Sequence, residues 1–148
     1  MPASTTSSLF PDVNVWLALV ADGHVHHERA LHWYESTDPG SRIIFCRIAQ
    51  IGLLRLLTTD VVMRTGVLNQ DEAWSAYDRL LEDERISLVH EPPQLEGLFR
   101  EITSLKRPAP KDWGDSYLIA FAKAFGYSLV TFDRAMAEKA STALLLQS

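Results

Sequence analysis

The chain has 148 residues, 47% of them hydrophobic, and a formal net charge of −5 from 14 Lys plus Arg against 19 Asp plus Glu. That length supports a hydrophobic core without covalent staples, and that composition excludes a disordered chain. A single cysteine, Cys46, excludes both an intramolecular disulfide and a Cys-built zinc site, and the acidic balance argues against a generic nucleic-acid coat protein.

Residues 1–7 read as a flexible tail of small polar residues without Lys or Arg. They lack the charged start and apolar run of a signal peptide, and no later apolar run is long enough to span a bilayer. The expected location is the cytoplasm. Ser8 to Pro11 predicts a short strand that ends at Asp12, and Val13 to Ala21 an apolar helix. His24 to Glu35 predicts a second helix with Ala30, Leu31 and Tyr34 on one face. Asp38-Pro39-Gly40-Ser41 is a turn, and Arg42 to Phe45 a strand. Ala49 to Leu57 is an apolar helix, followed by one or two helical turns over Asp60 to Thr65 and a loop over Gly66 to Asn69. Gln70 to Asp83 predicts an amphipathic helix with Ala73, Trp74, Tyr77, Leu80 and Leu81 inward.

Ile86 to Val89 is a strand. Pro92 and Pro93 open a helix striped by Leu95, Leu98, Phe99 and Ile102. Lys106 to Lys111 is a Pro-rich basic loop. Asp112 to Ala124 is a helix ended by Gly126, Ser128 to Thr131 a strand, Asp133 to Glu138 a short helix, and Ala143 to Leu146 a last strand. Strands alternate with helices from end to end. The expectation is one α/β domain over residues 1–148, with a mostly parallel central sheet covered by helices on both faces.

Three acids fall at telling places. Asp12 and Asp133 each follow a strand and open a helix, and Asp115 lies in the first turn of an apolar helix. In an open α/β sheet, strand ends that feed helices share one edge, and ligands bind there. Taken singly, each acid is an ordinary helix cap. Asp115 resists that reading best, because it stands among Trp113, Tyr117, Leu118 and Ile119, where a lone buried carboxylate is costly. Three converging carboxylates repel one another, and a divalent cation with hard oxygen ligands resolves that conflict.

Leu9-Phe10-Pro11-Asp12-Val13-Asn14-Val15-Trp16 resembles the opening strand of PIN domains, with its Asp-x-Asn. Asp115-Ser116-Tyr117-Leu118-Ile119-Ala120 resembles the family's third acidic motif, and Leu129-Val130-Thr131-Phe132-Asp133-Arg134 its fourth. Order and spacing agree over about residues 8–146. The strongest likeness is to VapC toxins of bacterial toxin–antitoxin pairs; His24 to Trp33 and Gly52-Leu53-Leu54-Arg55 are similar to segments in one branch of them. The resemblance implies a three-layer α/β/α sandwich and a Mg²⁺- or Mn²⁺-dependent endoribonuclease acting on RNA. It further implies a homodimer silenced by a cognate VapB-like antitoxin. By position, Asp12 and Asp115 would bind the metal directly, and Asp133 directly or through water. Asn14 and Thr131 would orient carboxylates or waters. The sequence departs from the family in one place. The usual Glu on the helix after strand two is missing, with Gly52 or Gln50 in its place. Asp112 is either its substitute or a helix cap.

Other signals carry less. His24, His26, His27 and His32 lack the paired spacing with an intervening Glu that marks zinc hydrolases. His24 is expected to cap or hydrogen-bond locally, and the others to lie on the helix's solvated side. Cys46 reads as a buried, inert thiol. Trp33 and Trp74 read as core or dimer contacts, with Leu53 and Leu56 on the same apolar faces. Trp113 reads as packing, with base contact as the sharper alternative. Lys106 to Lys111 leads into Asp112 and Asp115, a plausible phosphate contact; Arg47 and Arg55 are further candidates. The alternative to an enzyme is a degenerate PIN fold acting as a binding or regulatory module. A receiver-like domain would need a Lys on the final strand, which Ala143 to Leu146 lacks.

Overall fold

The computed structural model describes residues 7–147, so the expected tail, apart from Ser7, lies outside the described residues. β1 (Ser8–Pro11), β2 (Arg42–Phe45), β3 (Ile86–Leu88), β4 (Ser128–Thr131) and β5 (Ala143–Leu145) form one sheet in the order β3-β2-β1-β4-β5. Every adjacent pair is parallel. The inner strands are nearly continuous apolar runs, as a sheet covered on both faces requires. Pro11 is tolerated in the central strand because it is the last residue of β1, beyond the β2 register at Leu9 and opposite Val130 of β4.

Pleating sorts the core. Phe10 faces one side, where it stacks on Phe121 of α7 (Asp112–Phe125) with ring centres 5.1 Å apart. Phe45 faces the other side. It stacks at 3.9 Å on Trp16 of α1 (Val13–Val20) and meets Tyr77 of α5 (Gln70–Leu81) edge-on at 5.1 Å. Helices therefore cover both faces, giving the expected three-layer α/β/α sandwich. α2 (His27–Ser36) and α3 (Arg47–Leu57) pack on α1, while α6 (Leu95–Ile102) packs on α7. The short α4 (Asp60–Met63) and α8 (Arg134–Lys139) complete the helices.

Local chemistry sets most boundaries. Asn69 and Glu72 form a reciprocal capping box at the start of α5 (2.8 and 2.9 Å). Gly126, with φ 72°, ends α7 in the left-handed region. α2 starts at His27 rather than His24. His24 Nδ1 accepts the His26 N–H at 3.0 Å, and that turn holds the chain out of the helix. Two residues expected inward on α5 are exposed, Trp74 at 47% and Leu81 at 38%. Helix phase gives the inner face to Ala73, Ala76 and Tyr77, so the larger groups on its flank stay open. Conversely, Trp33 and Leu53 belong to the core, and Leu56 packs against it.

Candidate functional site

The sheet order reverses between β1 and β4. β1 leads to β2 and β3 on one side, and the chain then returns to add β4 and β5 on the other. The crevice beyond the carboxyl ends of β1 and β4 is thus the topological switch point, the place where such sheets bind ligands. Asp12 follows β1 there, and Asp133 lies two residues beyond β4.

Asp12 is 6% exposed. Its Oδ1 accepts the Val15 N–H at 3.1 Å, capping α1, and its Oδ2 accepts a hydrogen bond from the Thr131 hydroxyl. Thr131 is fully buried, and its Oγ1 also accepts the Asp133 N–H at 2.9 Å. One hydroxyl therefore ties Asp12 to Asp133. Asp133 caps α8 by accepting the Met136 N–H at 3.1 Å. Capping and site geometry are not rivals here, because each cap uses one carboxylate oxygen.

Burial pushes the Asp12 carboxyl up to about 6, held back by the Thr131 hydroxyl and Val15 N–H; Asp115 and Asp133 add smaller upward pushes. Asp115, in the first turn of α7, is exposed as a residue, yet its carboxyl is also raised. Neighbouring protein strips part of its hydration, Asp133 and Asp112 repel it, and Lys139 of α8 draws it down. The costly buried carboxylate anticipated at Asp115 is instead Asp12, which α1 and the β4 end enclose.

Asp12, Asp115 and Asp133 thus share one electrostatic neighbourhood, with Asp112 beside Asp115. Among the described residues, no group of three His, Cys, Asp or Glu is gathered into a ready coordination sphere. The two observations concern different ranges. Coulombic repulsion acts over several ångströms, whereas Mg²⁺ ligands must reach about 2.0–2.1 Å. The donor set suits a hard divalent cation. It comprises a buried carboxylate with no cationic side chain bonded to it and two exposed carboxylates whose charges oppose it. The residues present therefore fit such an ion, with the second oxygen of the capping Asp133 and the exposed Asp115 carboxylate open to it.

Other candidates separate from this crevice. The Asn14 side chain is exposed and makes no hydrogen bond among the described residues, unlike Thr131. Arg47 Nη1 donates to Gln50 Oε1 at 2.6 Å, and Gln50 is buried, so its amide is already engaged. Arg55 lines a groove with Ile51 and Trp74 between α3 and α5. At Gly52 an added Cβ would lie 2.9 Å from Val13 Cγ2. Val13 directly follows Asp12, so this position does face the start of α1, but the valine fills the space an acidic side chain would need. Asp112 caps nothing, since the N-cap of α7 is Lys111 without a side-chain cap bond.

His26 stacks on Phe132 at 4.5 Å and His27 Nδ1 bonds the Ala18 carbonyl at 2.7 Å, so neither lies on a purely solvated face. Cys46 is buried with its thiol pushed up, chiefly by burial, as expected of an inert group. Lys139 was missed by sequence reasoning. A lone Lys at the end of a short helix carries no motif, and only its position six residues beyond Asp133 hints at the site.

The PIN domain profile matches residues 9–141. This chain belongs to the PIN-domain family. Ribonuclease VapC41 of Mycobacterium tuberculosis (strain ATCC 25618 / H37Rv) is 43% identical over 134 residues, 88% of this PIN protein and 92% of that one. Ribonuclease VapC38 of the same strain is 28% identical over 129 residues, 82% of each chain. The likeness to VapC proteins read from the motifs is thereby borne out. Among solved structures, VapC20 of Mycobacterium tuberculosis, a sarcin–ricin loop cleaving toxin, matches with a TM-score of 0.65 at 20% identity, covering 88% of this chain and 93% of that one. VapBC2 of Rickettsia felis, bound to a promoter DNA fragment, matches with a TM-score of 0.66 at 12% identity, covering 95% and 99%. These two neighbours establish the PIN fold.

Proposed function

We propose that this PIN domain, as a single folded unit, is a metal-dependent endoribonuclease and the toxin half of a toxin–antitoxin pair. The observation that carries the reading is the buried Asp12, bridged through Thr131 to Asp133 and repelled by Asp115 at the switch point of the sheet. The names of its ribonuclease relatives support the substrate class.

Asp12, Asp115 and Asp133 would hold Mg²⁺ or Mn²⁺. The ion, when bound, supplies positive charge against the phosphate and lowers the pKa of a water. Asp12 contributes an acceptor whose position is fixed by two hydrogen bonds before any ion arrives, so little order is lost on binding. Thr131 keeps Asp12 and the Asp133 backbone in register. Lys139 places a cation at the rim, near Asp115, where an RNA phosphate can meet it.

A VapB-like antitoxin is the expected partner, covering the crevice and sending an Arg to the carboxylates. Homodimerisation is assigned to the exposed apolar residues of α3 and α5, namely Ile48, Ile51 and Trp74, since the core holds Trp33 and Leu53. Among the described residues no helix is long and apolar enough to cross a membrane.

The test is cleavage of RNA by the purified chain with added Mn²⁺ or Mg²⁺, in EDTA, and with Asp12→Asn. Cleavage should require the ion and fall at least a hundredfold in the variant. Metal-independent cleavage, or wild-type activity in Asp12→Asn, overturns the assignment. The missing acid at Gly52 favours the second reading, a degenerate binding module. RNA binding without cleavage at any Mn²⁺ concentration would establish it.

A further inference from the structure

Beside the carboxylates lies a cavity of about 350 Å³, between the end of α6 and the start of α7. Its walls include Leu105, Arg107, Pro108, Pro110, Asp112 and Trp113. Its size is at the small end of ligand sites, which run from about 300 to 1,000 Å³. Trp113 is 58% exposed. Its indole meets Phe99 in a T-shaped contact, ring centres 6.0 Å apart, and also lines the cavity.

The charge around this cavity runs against that of the whole chain. Lys106, Arg107 and Lys111 stand within one Pro-stiffened loop, and none is in an ion pair among the described residues. Arg107 lines the cavity itself, with Lys106 and Lys111 close to it along the loop, in a protein of net charge −5. Apolar walls, an exposed indole and the Arg107 guanidinium together suit a base with its phosphate. Asp112 joins the cavity to the carboxylate crevice, since it lines the one and repels Asp115 in the other. Asp112 and Asp115 share a helix face, whereas Trp113 points to the α6 side of α7.

We propose that this cavity seats one nucleobase of single-stranded RNA, on a nucleotide flanking the scissile phosphate, with the base on Trp113 and its phosphate on Arg107. The proposal rests on the ribonuclease reading for its substrate. Only an unpaired base offers its face to an indole, so the subsite selects single strands or loops over duplex. Stacking tolerates any base, and the rigid prolines pre-shape the wall at low entropic cost.

The test measures binding of a labelled ten-nucleotide oligoribonucleotide to the full chain in EDTA, as single strand and as duplex, followed by cleavage in Mn²⁺. Trp113→Ala should weaken single-strand binding about tenfold, and Trp113→Phe should restore most of it. Arg107→Ala should weaken binding and lower the slope of log affinity against log salt by about 0.7, the loss of one phosphate contact on a single strand. Unchanged single-strand affinity in Trp113→Ala overturns the proposal, as does equal loss for duplex. Loss of affinity for an Arg-bearing antitoxin peptide alone, with RNA binding intact, reassigns the cavity to a protein partner and also overturns it. The two readings fail separately. Wild-type RNA cleavage with kcat/KM unchanged in Trp113→Ala removes the subsite and keeps the nuclease. Trp113-dependent binding with no cleavage keeps the subsite and removes the nuclease.

Discussion

At the scale of single residues, Asp12 carries a charge at a cost. It is held in a buried place with its carboxyl raised from 3.8 to about 6, first by burial and then by Asp115 and Asp133. A carboxyl whose folded pKa lies above its unfolded value binds protons more tightly when folded. Its charging therefore lowers stability as pH rises from about 4 through about 6, and the full cost is present above that window. At 1.36 kcal/mol per unit the displacement corresponds to at most about 3 kcal/mol. Asp12→Asn should accordingly raise the thermal midpoint of metal-free protein at pH 8, with the gain shrinking toward zero near pH 4. Calorimetry across that range checks it. A gain that is constant with pH would mean that the amide packs better for reasons unrelated to charge. The same substitution should abolish cleavage, so stability and activity move in opposite directions at one position.

At the scale of elements, the approach of α1 to α3 depends on Gly52. With Val13 Cγ2 at 2.9 Å from any added Cβ, Gly52→Ala must push α1 or turn the valine. The expected loss is about 1–3 kcal/mol from overpacking, less up to about 1 kcal/mol regained from helix propensity. Val13→Ala in the same chain should remove most of the loss, a coupling that chemical denaturation of the two singles and the double reads directly. Gly52→Glu alone cannot report on metal affinity for the same steric reason; it needs Val13→Ala beside it.

Just before the edge strand β3, Arg85 grips Asp83 through three nitrogen–oxygen contacts of 2.7 to 3.2 Å, while the Tyr34 hydroxyl donates to Asp83 and Arg85 reaches Thr37. The Arg85 guanidinium holds the Asp83 carboxyl well below the usual carboxylate range. A depressed folded pKa contributes stability above the unfolded value near 4, lost as pH falls below it. Asp83→Asn should cost about 1–2 kcal/mol at pH 7, discounted because both side chains keep about a fifth of their surface in solvent. In acid unfolding below pH 4 the variant and wild type should converge.

At the scale of the whole molecule, the exposed Ile48 at 45%, Ile51 at 53% and Trp74 at 47% stand out on α3 and α5. The proposed homodimer would bury these residues. Trp74→Glu should convert a dimer to a monomer in light scattering at micromolar concentration while leaving the far-ultraviolet spectrum intact. A wild-type chain that is monomeric throughout would remove the dimer from the account.

The strand–helix alternation, the 4-residue spans of β2 and β4, the cap at Gly126 and the acids at strand ends were all legible from sequence, because each rests on local chemistry: periodicity, turn residues and caps. The same holds for the motifs that placed the chain among PIN domains, since Asp12, Asp115 and Asp133 keep their order whatever the packing. Tertiary structure decided the rest. Which carboxylate is buried depends on what closes over it, and α1 with the end of β4 closes over Asp12 rather than Asp115. Whether Trp33 or Trp74 is core depends on helix phase against neighbours far away in the chain, and the outcome divides them at 4% and 47% exposure. Lys139 reaches the site only because α8 packs near α7, and the Trp113 cavity, though lined from within residues 103–113, takes shape only once that loop is folded between α6 and α7. Periodicity along a chain records which face is apolar, whereas depth, partners and charge environment belong to contacts between residues that the sequence leaves far apart.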